Sequence, residues 1–148
     1  MRPHPLFADR EIPARQPLGP FVLTMLALDD LDEDFAAVTA SEAALTGLMG
    51  GDWPAGLTLE DNRLDLAWHQ REFIARRSFA WVIRDGAGAY LGCAYVSPHW
   101  TPLDAADAVY WFRTGAEAHA PAFRTPWRAW LDGPDWPRLA LTHKSYPD

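Results

Sequence analysis

Residues Ser78–Pro98 read SFAWVIRDGAGAYLGCAYVSP, two apolar runs joined by RDGAG. Aromatic and β-branched residues on both sides of a glycine-containing link mark a hairpin, with strands over roughly 79–84 and 89–97. The second run carries Gly92 and Cys93 where a strand favours bulky side chains. A strand glycine marks a bulge, a close approach by a neighbouring backbone, or room left for a ligand. Cys93 reads as a buried small apolar residue, since a cysteine nucleophile needs a basic partner and no local pattern recruits His69, His99 or His119.

Working outward, AVYWFRT (108–114) reads as a third strand. TPWRAWLDG then reads as a helix, with Thr125 as N-cap, Pro126 at the first helical position and Gly133 just past the end. RLALTH (138–143) reads as a strand after that helix. Upstream, FVLTMLA (21–27) is expected as the first strand. It leads into one helix with Leu31, Phe35, Val38, Leu45 and Leu48 on one face, stopped by Gly50 and Gly51. Thr58 and Asp61 announce a second helix, with a stripe of Leu59, Leu66, Ala67, Phe73 and Ile74. Prolines at 3, 5, 13, 17 and 20 suggest an extended arm over 1–20, leaving 21–148 as a single domain. The order β-α-α-β-β-β-α-β implies an α/β protein, a mixed β-sheet flanked by helices. The strands flanking the last helix should be parallel neighbours.

The 148 residues suffice for one core, with 49% hydrophobic and 22% charged residues. A net charge of −7 and the lack of basic runs disfavour nucleic acid. No apolar segment is long enough to span a membrane and the N-terminus lacks a secretory h-region, so a cytoplasmic location is expected. One cysteine excludes an internal disulfide, and the five histidines show no close ligand spacing, so no metal is expected. Eight tryptophans need either a thick core, an aromatic cleft or an apolar contact surface.

With that element order, the proline-terminated strand YLGCAYVSP and the strand AVYWFR, the sequence resembles the GCN5-related N-acetyltransferase (GNAT) superfamily, over about residues 20–143. The resemblance implies an acyl-CoA N-acyltransferase fold, shortened at the C-terminus. It also implies transfer of an acetyl group from acetyl-CoA to an amine of a small molecule or protein. The strand of Trp111, Phe112 and Arg113 would splay from its parallel neighbour near Phe112 and offer its backbone to the pantetheine arm. The family's pyrophosphate loop is replaced by RTGAEAHAPAFRTPW, in which Gly115 stays close to Arg113 and Glu117 repels phosphate. Arg124 and Arg128 are the cations that could take over, and acetyl-CoA binding is expected to be weak. Tyr146 falls in a short tail, a poor substitute for the acid that the family carries on a later helix.

Gly92, Cys93 and Tyr95 are the candidate substrate cleft. His69 and Glu72, three apart on a helix, are the candidate catalytic pair, although a solvated helix face is the commoner meaning of that spacing. Trp127 and Trp130 read as core anchors. The alternative function is a relative without catalysis that binds a ligand or partner in the same cleft, or a homodimer formed through the Trp-rich surface or the free edge of the final strand.

Overall fold

Alternation along FAWVIR and YLGCAYVSP gives the central strands two apolar faces, and both are covered. A computed structural model describes residues 1–148. It contains one six-stranded sheet in the order β1 (Arg15–Leu18), β2 (Phe21–Met25), β3 (Phe79–Arg84), β4 (Tyr90–Pro98), β5 (Ala105–Phe112) and β6 (Ala140–Tyr146). Neighbours are antiparallel except β5 and β6, which are parallel. α1 (Leu31–Ala40), α2 (Glu42–Leu45) and α3 (Leu59–Ile74) lie between β2 and β3, and α4 (Ala120–Leu131) makes the crossover from β5 to β6. No helix is long and apolar enough to cross a membrane.

One face of the sheet packs Trp81, Ile83, Leu91, Tyr110 and Phe112 against Phe123, Trp127 and Leu131 of α4. The other packs Val82, Tyr90, Cys93, Tyr95 and Trp111 against Val38, Leu45 and Leu66. Trp81, Trp111 and Trp127 are fully buried, as core anchors should be. Trp130 packs against Trp81 and Trp136.

Several expected boundaries move. Phe21–Met25 is the second strand, because Arg15–Leu18 pairs ahead of it through a turn at Gly19, whose φ is +57°. Pro17 fits there because β1 is an edge strand that needs fewer donors. The segment before it docks on the domain through Phe7 and His4, both buried. The first helix breaks at Ser41 into α1 and α2. α3 follows the expected cap, with Thr58 accepting from the Asp61 N–H at 3.1 Å. Its buried stripe is Asn62, Leu66 and Phe73, while Leu59 and Ile74 are exposed. α4 starts at Ala120, so Pro126 lies inside the helix and Thr125 is not its cap. The last strand begins at Ala140 and runs to Tyr146, which is therefore in the sheet and not in a tail.

Gly92 sits at a bulge. Ile83 pairs with Gly92 and Arg84 with Tyr90, so Leu91 is the extra residue. A Cβ on Gly92 would lie 1.8 Å from the Trp111 carbonyl oxygen. The residue is small because the β5 backbone approaches there, which corrects its placement in the substrate cleft. Gly92→Ala should therefore destabilise the fold by about 3 kcal/mol or more, lowering the melting temperature by roughly 6–12 °C. A thermal melt checks this, and a variant that melts like the wild type would refute the reading.

Candidate functional site

Asp34 stands on the inward stripe of α1, three residues after Leu31 and four before Val38. That spacing turns a carboxylate into the interior, where it is 3% exposed. The stripe of α3 likewise turns Asn62 and His69 inward around Leu66. The bulge completes the arrangement from the sheet. Tyr90 and Cys93 are an odd number of residues apart, yet both face the helices because Leu91 is inserted between them.

Tyr90 donates its hydroxyl to Asp34 Oδ1 at 2.5 Å, and Asn62 Nδ2 donates to Oδ2 at 2.9 Å. Cys93 Sγ is 3.6 Å from Oδ1 and 3.0 Å from the Tyr90 hydroxyl. All three donors are neutral. Arg84, which reaches α1, pairs with Asp30 and Glu33 at 3.1 Å each instead. Burial raises the Asp34 pKa above the usual carboxylate range, opposed by its hydrogen bonds. Burial also pushes Tyr90, Cys93 and Tyr95 well up, so Cys93 is a thiol and not a nucleophilic thiolate.

This cluster closes one end of a cavity of about 210 Å³, lined by Leu26, Asp34, Met49, Trp53, Asn62, Asp65, Leu66, Trp68, His69 and Tyr95. His69 lies between Trp68 and Tyr95, with ring centroids 5.0 and 5.6 Å away. Burial lowers its pKa to about 4, so the imidazole is neutral at pH 7. Trp111 on β5 donates its Nε1–H to the Tyr95 hydroxyl at 2.9 Å. The cavity is thereby tied to the strand that the sequence offers to an acyl donor.

Of the expected site residues, His69 and Tyr95 reach the cavity. Cys93 lies behind its wall, fully buried. Glu72 is not paired with His69: it is buried near the C-terminal end of α3, 3.3 Å from Arg77 Nε. Asp34, Asn62, Trp53, Asp65 and Trp68 were not foreseen. The usable signals were a carboxylate at Asp34 and an amide at Asn62 on otherwise apolar helical stripes. No group of three or more metal-ligating side chains is assembled.

The donor-side residues are arranged differently. The β5–β6 ladder is unbroken from Ala105↔Ala140 to Trp111↔Tyr146, so the Trp111 backbone is paired, and the ladder ends one residue before Phe112, where the divergence is expected. The loop after β5 uses its own amides. Arg113 N donates to Leu91 O, Thr114 N to Ser41 Oγ at 3.0 Å, Gly115 N to Glu117 Oε1 at 2.6 Å and Ala116 N to Arg113 O. Tyr146 donates its hydroxyl to Glu117 Oε2 at 3.4 Å. Arg113 Nε donates to Tyr90 O, and Arg124 Nε to the Tyr110 hydroxyl at 3.2 Å. Phe112 is buried against Phe123. Arg128 is exposed on α4, where its charge helps to lower the His143 pKa.

No family model and no curated protein matches this sequence. Solved structures do match the shape. RimL, a ribosomal L7/L12 alpha-N-protein acetyltransferase in complex with coenzyme A, superposes with a TM-score of 0.70 at 14% identity, over 86% of this chain and 73% of that one. This chain has the GNAT fold. An acetyltransferase from Thermus thermophilus gives 0.60 at 18% identity, over 86% and 77% of the two chains. The microcin C7 self-immunity acetyltransferase MccE, in complex with acetyl-CoA and AMP, gives 0.62 at 13%, over 88% and 73%. Within the GNAT fold, α4 and the loop before it occupy the stretch where the resemblance puts the pyrophosphate loop.

Two expectations test the cluster. His69 has a folded-state pKa of about 4 against 6.5 for the free side chain. The stability this represents is complete above pH 6.5 and is lost as pH falls through 4. Wild type should lose about 2–3 kcal/mol across that window that His69→Gln does not, read by urea melts at about pH 7.5 and pH 4. Cys93→Ser gives Asp34 and Tyr90 a hydroxyl partner in place of the thiol, so it should cost under about 1 kcal/mol. Cys93→Ala leaves a partner short and should cost more; the reverse order would contradict the cluster.

Proposed function

We propose that the chain is an N-acetyltransferase that moves an acetyl group from acetyl-CoA to the amine of a small molecule held in the cavity between α1, α3 and β4. The observation that supports this is the coupling of an acidic cavity to β5 through Tyr95 and Trp111, within a GNAT fold. Two carboxylates suit an amine. Neutral His69 lines the same cavity without adding a cation.

As arranged, the donor side offers acetyl-CoA few free amides. The amides of residues 113–116 have partners, Glu117 holds the position an anion would take, and β6 covers the Trp111 backbone. These observations are the ground for a second reading, a GNAT-fold protein that binds its amine ligand without acyl transfer. A second copy pairing along the free outer edge of β6 is part of either reading, and light scattering of the purified chain tests it.

Calorimetry with acetyl-CoA separates the two. The transferase reading expects weak binding to wild type, with a dissociation constant well above micromolar. It expects roughly tenfold tighter binding to Glu117→Gln, in which the competing carboxylate is gone. It also expects release of the coenzyme A thiol when an amine panel is added. No binding to either protein would defeat acyl transfer and leave the ligand-binding reading.

A further inference from the structure

A buried carboxylate is costly without a counter-charge. Asp34 is almost fully buried and receives three neutral donors, from Tyr90, Asn62 and Cys93. No Lys or Arg lines the cavity that it faces, and the one histidine there is neutral at pH 7. Asp65 adds a second carboxylate to the same lining. The counter-charge is therefore missing from the protein itself. The rest of the lining is aromatic or aliphatic, with Trp53, Trp68 and Tyr95 supplying ring surface. Aromatic faces beside carboxylates stabilise an organic cation through both charge and cation–π attraction.

Size narrows the ligand. The cavity is about 210 Å³. An apolar cavity of about 150 Å³ accepts benzene, so this one has room for a ring and a short side arm. A ligand bearing its own carboxylate or phosphate would meet Asp34 and Asp65 with no cation to offset the repulsion. Amino acids are disfavoured on that ground.

We propose that the cavity binds a small apolar monoamine without a carboxylate, an arylalkylamine in chemical class, with its ammonium at the Asp34–Asp65 side and its ring among Trp53, Trp68 and Tyr95. The identification of this amine as an acetyl acceptor rests on the reading above, but the binding itself does not. Asp34 and Asp65 supply the carboxyl oxygens that meet the ammonium, and the neutral donors around Asp34 fix its orientation.

The test uses the full chain with no acyl donor present. Phenethylamine, phenylalanine and 2-phenylethanol share a ring and differ in charge. Calorimetry should show phenethylamine binding, with phenylalanine at least about thirtyfold weaker and 2-phenylethanol at least about tenfold weaker. Asp65 lies on the exposed side of α3, so Asp65→Asn should fold normally. It should weaken phenethylamine about five- to tenfold and leave 2-phenylethanol unchanged. Trp68→Ala should weaken both. Phenylalanine binding as tightly as phenethylamine, no phenethylamine binding at millimolar concentration, or unchanged affinity in both variants would each overturn the proposal. Phenethylamine binding without acetyl transfer supports it while defeating the transferase reading. Acetyl transfer to phenylalanine as readily as to phenethylamine supports the transferase reading and defeats this one.

Discussion

The contact between Gly92 and the Trp111 carbonyl governs the rest of the site. Because no Cβ intervenes, β5 can close on β4 at a point where β4 carries one residue too many. The extra residue, Leu91, goes to the α4 face of the sheet and packs in that core. Tyr90 is thereby returned to the other face, in line with Cys93 and Tyr95. A regular strand would send Tyr90 and Cys93 to opposite faces. The hydrogen-bonded cluster around Asp34 depends on that irregularity against β3, and the glycine beside it lets β5 pack closely on the other side.

The same bulge sets the start of the following loop. Arg113 N donates to Leu91 O, and Arg113 Nε donates to Tyr90 O at 2.8 Å. The inserted residue and its neighbour thus hold the end of β5, and Tyr90 also holds Asp34 at the cavity. Ser41, at the break between α1 and α2, holds the next amide, that of Thr114. The helices around the cavity and the loop after β5 are thus joined by short polar contacts.

The sequence displayed most clearly those features that depend on near neighbours. Thr58 and Asp61 cap α3 because each needs only the other. The glycine at 92 announced a close approach, although strand and ligand were both open as the approaching group. The parallel pairing across α4 followed from a crossover rule. What was illegible depended on distant partners. Arg15–Leu18 has little strand character alone and is fixed by β2. Asp34 looks like one more acid in LDEDF until Tyr90 and Asn62 are brought to it from 56 and 28 residues away. α4 begins six residues before Pro126 because burial of Ala120 and Phe123 outweighs the preference for starting at that proline.

The two halves of the site differ in how their charges are balanced, and this decides what each can accept. On the donor side, Glu117 brings its own negative charge to the N–H groups ahead of α4, and its pKa is lowered by those hydrogen bonds. An incoming phosphate must displace a partner that is already ionised and covalently held at high local concentration. Its gain is therefore only the difference between two anions. On the acceptor side, Asp34 has neutral donors but no cation, and an incoming ammonium displaces nothing charged. Trp111 is bonded to Tyr95 at the cavity wall while its backbone pairs with Tyr146 on β6, so it joins the cavity to the end of the β5–β6 ladder.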